Sequence, residues 1–140
     1  MSYVTPVNGG EAGYRDQLQQ IIDAGVCPFC RLGWHKGDVL ARRDGWFVIE
    51  NAWPYENAAR HLLIISEKHK EGLDELTPED LAVVLSFANG LAEETGGGAL
   101  TLRFGDSSLT GASVGHLHWH LITPVVGDDG RVRPVYFPIG

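Results

Sequence analysis

The sequence predicts an α+β fold, with a single, mainly antiparallel sheet and two α-helices. Several short apolar runs are separated by turn residues, and one of these turns is the Asp44-Gly45 pair that is typical of a tight hairpin. Another segment, opening at Thr77, has the capping residues and apolar spacing of a helix. The chain has 140 residues and is 44% hydrophobic, which is enough for one compact domain with an ordinary core.

The first half of the chain supplies one helix and three strands. The helix is predicted near Glu11 to Ala24, where Leu18, Ile21 and Ile22 share a face. Val39-Leu40-Ala41 and Trp46 to Ile49 flank Asp44-Gly45 and predict a hairpin. His61 to Ser66 is a continuous apolar strand.

The second helix has clear start and stop signals. Thr77 is the predicted N-cap, Pro78 takes the first position, and acidic residues follow in the first turn. Gly96-Gly97-Gly98 ends the helix, and a strand follows from Leu100 to Phe104. Its predicted apolar face consists of Leu81, Val84, Leu85, Ala88 and Leu91.

The last predicted strand, Gly115 to Ile122, carries three of the six histidines at alternating positions. Side chains alternate between the two faces of a strand, so His116, His118 and His120 should project together while Leu117, Trp119 and Leu121 face a core. Imidazole is both a common metal ligand and a nucleophile toward phosphorus. The small residues from Thr110 to Gly115 favour the nucleophile, because their amides and the Ser113 hydroxyl can hold a phosphate there.

Cys27-Pro28-Phe29-Cys30 indicates either a metal site or a redox pair. The thioredoxin interpretation lacks its expected strand-to-helix context. A structural Zn²⁺ needs two further donors, which His35, His61, His69 and the three clustered histidines can offer.

Net charge and hydropathy exclude some classes of binding partner and indicate where the protein is located. The net charge of −7 argues against a nucleic-acid polymer or an anionic membrane as partner, because either requires a basic patch. No stretch is long and apolar enough to span a membrane, and the start lacks the features of a signal peptide. We therefore expect a cytoplasmic protein.

The segment from Gly111 to Ile122 resembles the signature of the histidine triad (HIT) superfamily, with its preceding Ser-Val. The resemblance extends from about Cys27 to Pro124 and implies a HIT-like fold, with an N-terminal extension over 1–26, a HIT domain over 27–124 and a C-terminal tail over 125–140. The further matching motifs are Cys27-Pro28-Phe29-Cys30, Asn51-Ala52-Trp53-Pro54, His61 to Ile65 and Lys68-His69.

The resemblance implies a nucleotide hydrolase or nucleotidyl transferase that acts on the α-phosphate of a nucleoside monophosphate conjugate. His118 would be the nucleophile, with its other ring nitrogen donating to a backbone carbonyl. His120 would bind phosphate oxygens or protonate the leaving group, and Ser113 would stabilise negative oxygens. A structural zinc would be held by Cys27, Cys30, His69 and His116. Asn51 matches a ribose-binding position, Phe29 and Ile49 match base-pocket positions, and a homodimer is expected.

The chain departs from the family pattern at several positions. Ala59-Arg60 replaces Pro-Gly before His61, Gly105 stands where relatives have Asn, and Ala112 replaces Gln. Arg60 and Arg103 are the basic candidates for a polyphosphate. Two alternatives stay open: a metallohydrolase whose triad binds a catalytic ion, and a purine-nucleotide-binding module without turnover.

Overall fold

The computed structural model describes residues 27, 29–30, 38–112 and 114–140. The predicted helix near Glu11 to Ala24, and residues His35 and Ser113, lie outside this part of the chain. The elements in chain order are β1 (Val39–Arg43), β2 (Trp46–Glu50), β3 (Ala58–Ser66), a 3-10 turn (Leu73–Glu75), α1 (Pro78–Thr95), β4 (Ala99–Leu102), α2 (Ser107–Thr110) and β5 (His118–Pro124).

The five strands form one sheet in the order β1-β2-β3-β5-β4, and every neighbouring pair is antiparallel. This confirms the predicted α+β class. At the β1–β2 turn, Asp44 and Gly45 have φ values of 45° and 87°, the left-handed conformation that an Asp-Gly hairpin turn requires.

Helix α1 begins and ends as predicted. Thr77 accepts a hydrogen bond from the Asp80 amide, the Asp80 carboxylate accepts one from the Thr77 amide, and Gly96 closes the helix at φ 92°. The predicted apolar face is partly wrong, because Leu81 and Leu85 are 42% and 59% exposed. The face toward the sheet is rotated around the helix, and its buried members are Val83, Val84 and Leu91.

The two faces of the sheet have different neighbours. On one face, α1 packs against a core cluster that includes Trp46, Leu62, Ile64 and Leu121, with Trp119 beside it. On the other face, a second cluster consists of Phe47, Ile49, Leu63 and Ile65, with Phe29 packed against it. The face opposite the helix is the one that carries the catalytic candidates.

The triad strand starts later than predicted. β5 begins at His118, and the amide of Leu117 donates to the carbonyl of Lys70 in the loop after β3, so this approach segment is bonded to a loop instead of a strand. His116 therefore does not share a strand face with the other two histidines. β4 ends at Leu102, two residues before the predicted end at Phe104.

The C-terminal segment runs back along the domain. Val126 pairs with Val132, the Arg133 amide donates to the Val125 carbonyl, and Phe137 reaches the ring of His120. None of the helices in the described ranges is long and apolar enough to cross a bilayer.

Candidate active site

His61, His118 and His120 lie together on the sheet face opposite α1. In the β3–β5 register, Leu63 is opposite His120 and Ile65 is opposite His118, so both histidines share a face with the second core cluster. His61 precedes Leu63 by two positions on β3 and therefore points to the same side. Strand pairing thus brings a third imidazole beside the two from β5.

The ring of His118 is held in one orientation. Its Nδ1 lies 2.8 Å from the carbonyl oxygen of His116, which can only accept, so Nδ1 carries the hydrogen and Nε2 carries the lone pair. Phe29 packs edge-on against the ring, with centroids 5.0 Å apart. Burial lowers the pKa of His118 to about 4, which keeps the ring neutral at physiological pH.

His120 lies between His61 and Arg103. Its Nδ1 is 2.8 Å from Nε2 of His61, and its Nε2 is 3.2 Å from Nη1 of Arg103. Burial lowers the pKa of His120 well below its ordinary value, and neighbouring His118, His61 and Arg103 lower it further. Burial also lowers the pKa of His61 to about 4. Both rings are therefore neutral near pH 7, and Arg103 supplies a permanent positive charge beside them.

Arg103 also anchors the C-terminal segment. Its Nε and Nη2 donate to the carbonyl of Pro138 at 3.2 and 2.6 Å, and Nη2 donates to the Tyr55 hydroxyl at 3.0 Å. The guanidinium carbon lies 3.9 Å from the centroid of the Phe137 ring, a cation–π distance. The tail is thus fixed next to His120.

Cys27, Cys30, His69 and His116 bring one potential ligand atom each to within 4.8 Å of one another. Nδ1 of His116 lies 3.4 Å from Sγ of Cys27 and 3.1 Å from Nδ1 of His69, and Cys30 Sγ lies 3.3 Å from the same His69 atom. Two sulfur and two nitrogen donors form a set that Zn²⁺ prefers, so these residues fit a zinc ion.

Neighbouring groups orient both imidazoles of this cluster. Nε2 of His116 lies 2.7 Å from the Ser66 carbonyl, and Nε2 of His69 lies 3.2 Å from the Glu71 carboxylate. The Ser66 carbonyl can only accept, so Nε2 of His116 carries the hydrogen and its Nδ1 lone pair points into the cluster, as a metal-binding histidine requires. Burial raises the pKa of the Cys27 thiol to about 11, so a bound cation is needed to hold the thiolate at neutral pH.

A cleft of about 250 Å³ opens beside His118. It gives an external ligand access to this ring and to Arg103. The residues that line it are Glu71, Arg103, Phe104, Gly105, Ser107, Thr110, Ala112, Val114, Gly115, His116, Leu117 and His118.

The remaining predicted site residues are placed as follows. Asn51 accepts from the Trp53 amide through Oδ1, and its Nδ2 lies 3.3 Å from Nε2 of His61. Ile49 is buried in the second core cluster. Arg60 pairs with Glu50 and Glu94.

The sequence interpretation missed how His61 is used and which arginine reaches the site. His61 does have a usable signal, because it lies on a strand that pairs with the triad strand. It is two residues before Leu63, the partner of His120, and so faces the same side of the sheet. Thr101 on β4 pairs with His120 and so faces the same side of the sheet. Arg103 lies two residues after Thr101 and therefore faces that side as well. Tyr55 and Phe137, which contact Arg103 and the ring of His120, have no comparable signal in the sequence.

A protein-family model and several solved structures match this chain. The model of the family described as HIT domain matches residues 36–125. A solved HIT family hydrolase from Legionella pneumophila Philadelphia 1 is 28% identical, with 70% of this chain and 92% of that chain covered and a TM-score of 0.56. A HIT family hydrolase from Clostridium thermocellum is 26% identical, covering 71% and 90%, with a TM-score of 0.55.

A Zn-bound histidine triad family protein from Mycobacterium smegmatis is 21% identical, with 77% and 81% of the two chains covered and a TM-score of 0.58, and supports the fold. No curated protein sequence matches the chain. The family match spans more than half of the chain and includes all three triad histidines. The chain therefore belongs to the HIT domain family.

Proposed function

We propose that this protein is a nucleotide hydrolase or nucleotidyl transferase that acts on the α-phosphate of an AMP-type conjugate through a covalent nucleotidyl-His118. One observation carries the proposal: the 2.8 Å contact between His118 Nδ1 and the His116 carbonyl, which leaves the Nε2 lone pair free. A neutral, oriented imidazole at an accessible cleft is the arrangement that nucleophilic catalysis requires.

The reaction has two displacements. The Nε2 lone pair of His118 forms a bond to phosphorus while the bond from phosphorus to the leaving group breaks, and the leaving group takes that electron pair and a proton. Water then attacks phosphorus, the N–P bond breaks, the pair returns to Nε2, and AMP and a proton are released. His120 binds a phosphate oxygen or protonates the leaving group, and Ser113 stabilises the negative oxygens.

A zinc ion would be held by Cys27, Cys30, His69 and His116, and it would supply a structural cross-link. His118 and His120 contribute no atom to this cluster, and Nδ1 of His118 is already bonded to the His116 carbonyl. This arrangement favours covalent catalysis over a catalytic ion bound by all three triad histidines.

The nucleoside would lie between Phe29, Ile49 and Asn51. Oδ1 of Asn51 is engaged by the Trp53 amide, which leaves Nδ2 to donate to a ribose hydroxyl. Phosphoramidates, aminoacyl adenylates, dinucleoside polyphosphates and adenylylsulfate all present the same α-phosphate, and nucleoside phosphoramidase or dinucleoside polyphosphate hydrolase activity is the proposed class.

We further propose a cytoplasmic homodimer. A site with two thiolate ligands needs reduced cysteines, which the cytoplasm maintains. Strand β4 lies at the edge of the sheet, next to a largely apolar groove of about 460 Å³ whose lining includes Ile122, Val126 and Val132. A second copy that covers this surface would remove it from water.

Trapping the covalent intermediate tests the proposed function. Quenched reaction with an adenosine phosphoramidate should give an adenylylated protein by intact-mass analysis, and the adduct should be acid-labile. The matched variant His118→Ala should give none. AMP binding without turnover of any conjugate would contradict the enzyme and favour a nucleotide-binding module.

A further inference from the structure

Four groups lie in a row across the site: the Tyr55 amide, His61, His120 and Arg103. The Tyr55 N–H donates to Nδ1 of His61 at 3.1 Å, His61 Nε2 faces His120 Nδ1 at 2.8 Å, and His120 Nε2 faces Arg103 Nη1 at 3.2 Å. The amide and the guanidinium at the two ends can only donate hydrogen bonds.

This row lacks one acceptor. Three contacts need three lone pairs, but two neutral imidazoles provide only one each. The Asn51 amide does not make up the deficit, because it presents Nδ2, another donor, to the His61 ring. Whichever tautomers the rings adopt, two donors face each other at one of the three contacts.

The two donors that face each other are those of His120 and Arg103. The Tyr55 amide donates to His61 Nδ1, so His61 carries its hydrogen on Nε2 and donates to His120 Nδ1 across the shortest contact of the row. His120 then carries its hydrogen on Nε2, directed at Arg103 Nη1. Nε and Nη2 of Arg103 are engaged by Pro138 and Tyr55, so Nη1 is the nitrogen of this guanidinium that faces the site, and no described residue offers it an acceptor.

We propose that Arg103 and His120 form a two-donor binding site for an anionic phosphoryl oxygen, which supplies the missing acceptor. The oxygen would accept from His120 Nε2–H and from Arg103 Nη1–H. Arg103 and His118 line the same cleft, so a phosphate held here is next to the nucleophile. Arg103 is also the only lysine or arginine among the described residues that line this cleft. The identity of the anion as a nucleotide phosphate rests on the proposed function.

The competing explanation is that Arg103 only anchors the tail through Pro138 and Phe137. The two roles separate in binding experiments with AMP and adenosine, which differ only in the phosphate. Calorimetry on the wild type, Arg103→Gln, Arg60→Gln and Phe137→Leu gives both affinities. Arg60→Gln is the matched control, because it removes the same charge at a residue that is paired with Glu50 and Glu94.

Arg103→Gln should weaken AMP binding about tenfold or more, the range of a charge-assisted hydrogen bond, and leave adenosine affinity unchanged. Arg60→Gln and Phe137→Leu should keep the wild-type preference for AMP over adenosine. An unchanged preference in folded Arg103→Gln would overturn the proposal. Loss of the preference in Phe137→Leu as well would also overturn it, because the tail would then be responsible.

A second measurement does not depend on a variant. Adding inorganic phosphate or AMP to the wild type should shift the ¹⁵N signals of His120 Nε2 and the Arg103 guanidinium, and adenosine should not. Identical spectra with and without phosphate would overturn the proposal. These outcomes are separate from the proposed function: AMP binding through Arg103 without turnover would contradict the enzyme alone, whereas turnover with AMP affinity independent of Arg103 would contradict this inference alone.

Discussion

Each of the three triad histidines is held by a different group. Nε2 of His116 bonds to the Ser66 carbonyl, Nδ1 of His118 bonds to the His116 carbonyl, and Nδ1 of His120 faces His61. The opposite nitrogen of each ring is therefore directed to a different place: the cysteine cluster, the cleft and Arg103. Identical side chains two residues apart acquire distinct chemistry from their hydrogen-bond partners.

His61 should make the protein less stable in acid. Its folded pKa of about 4 is below the ordinary value of 6.5, so in this pH window the unfolded chain binds a proton that the folded protein does not. Stability that is present above pH 6.5 is lost as the pH falls toward 4. The single group accounts for up to about 3 kcal/mol over this range.

Urea unfolding of the wild type and His61→Gln at several pH values tests this effect. The free energy of unfolding should fall less steeply between pH 6.5 and 4 in the variant, because its side chain does not titrate. Parallel curves for the two proteins would contradict the assignment of this acid sensitivity to His61.

At the scale of elements, the cysteine–histidine cluster connects three separate segments. Cys27 and Cys30 precede β1, His69 follows β3, and His116 precedes β5. Cys27→Ser or Cys30→Ser should abolish zinc binding and lower the melting temperature by at least about 5 °C, because metal binding at such a site is coupled to folding. Elemental analysis and thermal unfolding of the variants measure both. Wild type purified without metal, with the same melting temperature after zinc is added, would contradict the zinc site.

The sequence predicted a helix or strand well where the whole signal lies within a few consecutive residues. The Asp44-Gly45 turn and the Thr77 cap with its closing glycine placed the hairpin and the ends of α1. The start of β5 was misplaced, because the bond from Leu117 to Lys70 depends on a distant loop. The face of α1 was partly wrong for the same reason: periodicity permits several neighbouring stripes, and the sheet selects one.

The residues of the candidate site also fall into two groups, those that a local sequence pattern predicted and those that only tertiary packing brings in. The triad and the Cys-x-x-Cys pattern are local, and the structure brings the four predicted zinc ligands together. Tyr55 and the tail reach His120 only through tertiary packing, so their spacing in the sequence carries no sign of the contact. Arg60 and Arg103 were equal candidates in the sequence, and only strand register distinguishes them.

At the scale of the whole molecule, the edge of the sheet and the tail leave apolar side chains in solvent. Val126 and Val132 are 62% and 55% exposed beside the groove at β4. We predict that sedimentation will give about twice the 15.3 kDa chain mass, and that Val126→Glu will shift the protein toward monomer. Leu40→Glu, on β1 at the opposite edge and 51% exposed, is the matched control. A monomeric wild type at micromolar concentration would contradict the dimer.

The most direct test of the central claim is the zinc content and the turnover of one His118→Asn sample. A nucleophile contributes nothing to the metal, so the variant should keep one zinc per chain, its fold and its AMP affinity, and should lose conjugate hydrolysis. A ligand of a catalytic ion would behave differently, because its removal would deplete the metal together with the activity. Full zinc occupancy with no turnover is the result that the covalent mechanism predicts, and joint loss of zinc and turnover would contradict it.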